Sequence, residues 1–458
     1  MSAQLQGSRT NQRQNGYLRS KHRNSDKNRL CVPKLAAFLM DVNQSIAQRV
    51  FHRIKHSGLL DEADTAYVFY SRQMLVERLE VLSESFHGLD VLHTVAIKTN
   101  PHTGVLRCVV DQGVGLEAAS FEEVLLAKSV GTPTENIVYN SPVKTAKELN
   151  YCAQHFPGLR VNANSIEELE RIPHGAKLSI GLRINPLVNP STNNLYNVSK
   201  EDSKFGVPLS MEAEIIKAAI SANVSAIHIH VGSRIEETDM LLEALRRTVH
   251  LCDKINDTLQ SNGSDFRLTE INFGGGLSAL QSTEVSNDLM RKYGKEVKEV
   301  MKLARYRYRL IDEFGQWVHL HNGFAFSCVE YVRALDEKNI AYLHLGADFF
   351  PREIYSPVNA LNFEFYEPEG ELKKSPTIVT DLAGPLCFNG DYLAKNISAP
   401  QLSEGDIVAI PSVGANTYGL WSRHCSRTVP TFFSEKIDSQ KEIEIMSKRF
   451  NPFVNLVY

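Results

Sequence analysis

Five short stretches of the chain carry side chains able to do covalent or acid–base chemistry. Lys98, in VAIKTN, directly follows an apolar run. A lysine there ordinarily packs its stem and sends its head to solvent, whereas a desolvated amine has a lowered pKa and forms an imine with an aldehyde. HIHVGSR sets an imidazole, His230, and a hydroxyl, Ser233, beside a glycine. Gly274, Gly275 and Gly276 follow LTEINF, and three missing side chains let backbone N–H groups close on a phosphate. A plain turn uses glycine too, and the triplet lacks the dinucleotide and Walker patterns. Glu313 follows YRLID, and GPLCFNGD supplies Cys387 and Asp391. A lone cysteine is commonly a small core hydrophobe, so no single stretch defines a reaction.

These residues need elements to position them. From residue 36 to 330, short β-branched or aromatic runs (AYVFY, VLHTVAIK, GVGLEAAS, NIVYN, LRVNANS, LSIGLRINP, AIHIHVGS, LTEINFGGG, YRLIDEFG) alternate with segments of helical period such as SFEEVLLAKSVG and SMEAEIIKAAISANV. Strands alternating with helices imply a parallel sheet. Eight or nine strands without a tight hairpin signal fit a closed (β/α)8 barrel of α/β class better than an open doubly wound sheet, the second choice. In a barrel the chemistry gathers at the C-terminal ends of the strands, where the five stretches fall. From 331 to 458 the helical period fades into short runs (AYLHLG, LNFEFYE, TIVTDLAG, DIVAIPSVG, RTVPTFFS) parted by Pro, Gly and Asn, a pattern that predicts a mainly β domain.

Composition bounds the function. The 458 residues are 43% hydrophobic and 22% charged, with 50 Lys+Arg against 53 Asp+Glu and a formal net charge of −3. That balance gives no electrostatic footprint for nucleic acid. Residues 1–30, with seven Lys/Arg and one Asp, read as a disordered basic tail. Seven cysteines without a C-x-x-C pair read as reduced thiols. No run long enough for a bilayer span and no secretory signal is visible, so a cytoplasmic protein without a membrane partner is expected.

The order and spacing of AIKTN, GLEAAS, LRINP, SKFG, HIHVGS, GGG, EFG, GPLCFNGD and VGA resemble those of the fold-type III pyridoxal-phosphate decarboxylases, the diaminopimelate, ornithine and arginine decarboxylase group. The likeness runs from about residue 64 to 427. It implies an alanine-racemase-like barrel with a C-terminal β domain, against which the N-terminal segment packs. It implies pyridoxal 5'-phosphate as cofactor, held by Lys98 as a Schiff base, and a homodimer with shared active sites acting on a small amino-acid substrate. By the same resemblance Glu313 faces the pyridine nitrogen, where racemases of this fold carry arginine. His230 stacks on the ring, and Ser233 with Gly274, Gly275 and Gly276 cradles the phosphate. Arg183 supports the ring hydroxyl side, and Glu117 stands where the family usually has aspartate. Cys387, from the partner subunit, helps to reprotonate Cα. Arg352, with Tyr355, lies near the arginine that grips a substrate carboxylate, and Asp391 accompanies the shared site.

Three departures bear on substrate and cofactor. The family's EPGR is EFGQ, so Gln316 replaces a phosphate-binding arginine, and its GAY is GAN, so Asn416 replaces a tyrosine. A charge-assisted contact becomes a neutral one, with Arg234 and Tyr418 as possible substitutes. The acidic residue that meets a distal ammonium is here Phe388, so a simple diamino acid loses its anchor. The expected activity is decarboxylation of an amino acid or amino-acid conjugate. The alternatives are a silent homologue acting as a binding protein, and a racemase or other lyase on the same cofactor.

Overall fold

The computed structural model describes residues 44–355, 361–436, 439 and 442–450. The tail at 1–30, the stretch 36–43 of the expected barrel region and residues 451–458 lie outside the described residues.

The first strand, β1 (Ala66–Tyr70), holds the run AYVFY, expected among the barrel strands, and it belongs elsewhere. Its alternate side chains explain why. Tyr67 and Phe69 bury against Ala47, Val50, Phe51 and Ile54 of the helix Ile46–His56, while Ala66 and Val68 join a separate cluster with Ala325 and Val329. Both faces are thus satisfied by partners outside the barrel.

The barrel is built from β2 (Val91–Ala96), β3 (Gly115–Ala118), β4 (Ile137–Tyr139), β5 (Arg160–Ala163), β6 (Ser179–Asn185), β8 (Ala226–His228), β9 (Glu270–Gly274) and β10 (Arg309–Glu313), with the two-residue β7 (Val207–Pro208) flanking β6. Every neighbouring pair is parallel, and the ring closes where β10 pairs with β2 and β5 with β6. That closure excludes the open doubly wound sheet. Helices return the chain between strands, and their starts are written locally. Ser120 and Ser282 accept hydrogen bonds from the N–H groups of Glu123 and Val285, and Thr145 with Glu148 forms a reciprocal capping box.

Side chains at alternate positions fill the bore. At its lower end Arg160 on β5 forks onto Glu270 on β9, with Nε–Oε2 3.0 Å and Nη2–Oε1 2.6 Å. Leu92, Val138 and Ile311 form an apolar cluster from β2, β4 and β10. Two residues further along the strands, Asn162, Asn272, Asn140 and Glu313 make the upper bore polar.

The second sheet centres on β11 (Gly323–Ala334), which pairs antiparallel with β1, with β12 (Asn339–Leu343) and with β16 (Ile407–Pro411). Around them lie β13 (Glu364–Tyr366), β14 (Thr377–Ala383), β15 (Tyr392–Pro400), β17 (Thr431–Glu435) and β18 (Ile443–Ser447). Each of the five β runs expected after residue 331 supplies one strand, and β11 already starts at Gly323. The six described cysteines are free thiols. No helix among the described residues is long and apolar enough to cross a membrane.

Candidate active site

Lys98 lies in the single turn Ile97–Thr99 that ends β2, and its Nζ is 3.0 Å from Oε2 of Glu117 on the adjacent β3. About half of the lysine side chain is exposed (53%), whereas Glu117 is fully buried. Burial lowers an amine's pKa, but Glu117 and Glu313 outweigh it here and hold Lys98 above its ordinary value. The amine therefore rests as an ammonium, contrary to the expectation that desolvation alone would free it. Burial pushes the Glu117 carboxyl up despite Lys98, and its Oε1 has no hydrogen-bond partner.

Glu313 ends β10, the strand paired with β2, and lines a cavity with Lys98. Its Oε1 accepts from Asn140 Nδ2 at 2.6 Å and from Asn272 Nδ2 at 2.7 Å, and His228 Nε2 stands 3.6 Å away, beyond hydrogen-bond length. Burial disfavours the anion, yet His228 and His230, once protonated in acid, and the Lys98 ammonium outweigh it and hold the carboxyl well below its ordinary range. Burial, with Arg183 nearby, pushes His230 down to about 3. The Gly275 amide donates to its Nδ1 at 3.3 Å, which leaves the ring proton of a neutral imidazole on Nε2. Arg183, on β6, lies over the Phe205 ring at 4.4 Å and adds positive charge beside Glu313 and Glu117.

A cavity of about 160 Å³ gathers Lys98, His230, Ser233, Gly276, Glu313, Gln316, Arg352 and Asn416. Gly274 and Gly276 have φ of 69° and 106°, and a Cβ on any residue of the triplet would press onto backbone oxygens of Ile229, Glu313 or Gly232. Glycine is thus required both by conformation and by close approach. Gln316 and Asn416 also face a neighbouring cavity of about 600 Å³ in which Arg234 lies. Asn416 adopts φ 61°, which asparagine tolerates better than tyrosine, and its N–H bonds the Thr99 carbonyl at 2.8 Å. Tyr418, one of the substitute anchors, instead packs on His102 and Phe432 at 5.4 and 5.1 Å.

The residues expected from the C-terminal domain divide. Arg352 joins the Lys98 cavity. Cys387 and Phe388 are exposed outside it, Phe388 stacking on the exposed Tyr355 with ring centroids 5.2 Å apart. Asp391, expected at the substrate, is a bracket instead: it is buried, and its two oxygens accept from the Ala347 and Leu386 amides at 2.6 and 2.7 Å. Sequence reasoning missed Asn140, Asn162, Asn272 and His228. All four lie in or just beyond the C-terminal halves of barrel strands, which is the one signal that marks them.

The arrangement fits pyridoxal phosphate. A buried orphan carboxylate oxygen lies beside an amine, and that amine lines one cavity with an ionised glutamate, Ser233 and Gly276.

The description "Pyridoxal-dependent decarboxylase, pyridoxal binding domain" fits residues 72–319, just over half of the chain. The chain is 26% identical to the diaminopimelate decarboxylase of Aquifex aeolicus over 396 residues, 84% of this chain and 90% of that protein. It is 28% identical to the Zymomonas mobilis enzyme of the same name over 371 residues, 78% and 84% of the two chains. The crystal structure of diaminopimelate decarboxylase from Helicobacter pylori complexed with L-lysine shares the fold, with a TM-score of 0.75 at 21% identity over 88% of this chain and 97% of that one. The lysine/ornithine decarboxylase of Vibrio vulnificus complexed with cadaverine superposes with a TM-score of 0.68 at 18% identity, over 84% and 96%. With its closed barrel, its second β domain and its lysine facing a buried glutamate, the chain belongs to the pyridoxal-dependent decarboxylase family and is a pyridoxal-phosphate-dependent carboxy-lyase.

Proposed function

We propose that this chain decarboxylates an α-amino acid, or an amino-acid conjugate, whose distal end bears no ammonium group, and that Lys98 is the amine that holds the cofactor. The observation that carries the assignment of roles is that Lys98, paired with the buried Glu117, lines one cavity together with Glu313. Bound pyridoxal phosphate supplies an electron sink for the pair released when the Cα–carboxylate bond breaks. The protein's residues do the rest. Glu117 takes and returns the proton at Lys98 Nζ, since it is the carboxylate in contact. Glu313 keeps a proton on the ring nitrogen by charge pairing. Neutral His230 offers a ring face, Arg183 offsets the carboxylates, and Ser233 with Gly274, Gly275 and Gly276 holds the phosphate. Gln316 and Asn416 contribute only neutral contacts, so the phosphate is held less firmly than by an arginine.

Cys387 and Phe388 act in this reading from the second copy of a homodimer, which their exposure on this chain supports. There the thiol delivers a proton to Cα, and Phe388 with Tyr355 presents an aromatic surface to the distal end of the substrate. An aromatic pair cannot neutralise a desolvated ammonium, which argues against lysine and ornithine. Arg352, within the Lys98 cavity, favours diaminopimelate as a second reading, because its guanidinium suits a distal carboxylate and relatives named for that substrate cover most of the chain.

The test is CO₂ and amine release, read by mass spectrometry, from the cofactor-loaded protein and a panel of apolar, acidic and conjugated amino acids with meso-diaminopimelate, lysine and ornithine. Turnover of a substrate without a distal ammonium, with traces at most from lysine and ornithine, is the expected result. Diaminopimelate as the best substrate selects the second reading. Lysine or ornithine as the best substrate refutes both.

A further inference from the structure

Inside the upper bore, Asn162 Nδ2 donates to Asn140 Oδ1 at 2.7 Å, and Asn140 Nδ2 donates to Glu313 Oε1 at 2.6 Å. The direction of this chain is forced. An ionised carboxylate only accepts, so Asn140 must turn its amide NH₂ to Glu313 and its carbonyl to Asn162. Asn272 donates to the same Oε1, and no hydrogen bond among the described residues reaches Oε2. One oxygen is thereby pinned and the other is left to the cavity that Glu313 lines.

The far end of the chain is anchored as firmly. Lys144, fully buried, spends its three N–H donors on the carbonyls of Ser141 and Asn162, both at 2.7 Å, and on Glu168 Oε2 at 3.0 Å. Glu168 also accepts from the Lys144 and Asn164 amides at 2.8 and 2.7 Å. Gly181 on β6 leaves the space that the Asn162 amide occupies, since a Cβ there would strike its Oδ1.

We infer that Asn162 is a positioning residue, acting through Asn140 to fix which oxygen of Glu313 meets the cofactor's ring nitrogen and to keep that carboxylate charged, with Lys144 and Gly181 fixing Asn162. The inference rests on the reading that Glu313 faces the ring nitrogen. It explains why an amide ladder, with no contact to the cavity, occupies the costly interior of a barrel.

The experiment uses pyridoxal phosphate labelled with ¹⁵N in the ring, whose chemical shift reports protonation of that nitrogen, together with cofactor affinity by fluorescence titration. The proteins are wild type, Asn162→Leu, Asn140→Leu, Glu313→Gln and the double variants N140L/N162L and E313Q/N162L, with leucine chosen as a near-isostere. N162L is expected to move the shift part of the way to the E313Q value and to weaken cofactor binding about threefold to tenfold. N140L moves it at least as far, and each double variant equals N140L or E313Q alone, because Asn162 has no other route to the cofactor. Additive effects in the double variants, or an N162L shift identical to wild type while E313Q moves, overturn the relay and leave the placement of Glu313 standing. An E313Q shift identical to wild type overturns the placement, and the relay with it. If N140L does not fold, the N162L and E313Q pair decides the same question, and a thermal melt of N162L separates lost stability from a moved shift.

Discussion

At Lys98 the structure sets a requirement that the sequence does not display. The amine rests as an ammonium because Glu117 is in contact and Glu313 is near, so in the role proposed for Lys98 cofactor capture begins with loss of a proton. Glu117→Gln removes an anion and lowers the lysine pKa. The midpoint of cofactor uptake plotted against pH is therefore expected to move to lower pH than in wild type, as a stopped-flow absorbance series would show. An unmoved midpoint means that Glu117 is no counter-ion. Phe388→Asp restores a distal carboxylate, and relative turnover of lysine or ornithine is expected to rise about tenfold or more, the scale of one desolvated charge pair; competition kinetics measure the ratio. Lys98, His230 and Glu313 were legible because each ends an apolar run with a chemically active side chain. Asn140, Asn162 and Asn272 were not, because asparagine at a strand end is equally the start of an ordinary turn. Asp391 misled for a related reason: a motif position shows that a carboxylate is present, and not whether backbone amides occupy it.

At the scale of elements, strand periodicity fixed most of the barrel, since parallel strands covered on both faces read as short apolar runs. AYVFY has the same texture, and only the placement of Phe51 and Phe326 around it shows that it serves the other sheet. The ends of β4 and β5 are joined by the buried Lys144 and Glu168 pair, a tie between separate segments that no local pattern announces. Lys144→Met leaves Glu168 buried without its counter-charge and two carbonyls without a donor. The expected loss is about 3–5 kcal/mol of unfolding free energy, to be read from urea melts. K144M/E168L removes both charges and is expected to recover much of that loss. Thr145→Ala, which opens the capping box of the following helix, is expected to cost about 1 kcal/mol in the same assay.

For the whole molecule, buried histidines govern behaviour in acid. Burial pushes His319 down to about 3, and burial with Arg72 nearby pushes His102 down to about 4. Unfolded, both titrate near 6.5, so below that pH the unfolded chain binds protons that the folded chain refuses. Thermal stability is expected to fall as pH drops from about 6.5 towards 4; a flat melting profile over that window refutes the assignment. The homodimer reading has its own assay at this scale. Mixing inactive Lys98→Ala and Cys387→Ala proteins under subunit exchange is expected to return up to about a quarter of wild-type activity, because half of the dimers are mixed and each mixed dimer carries one intact site.

The charged fork of Arg160 and Glu270, with the apolar cluster of Leu92, Val138 and Ile311, stops the bore beneath Glu313. In the proposed reaction, carbon dioxide and the amine then leave by the upper mouth of the barrel, where Lys98, Gln316 and Arg352 line the cavity.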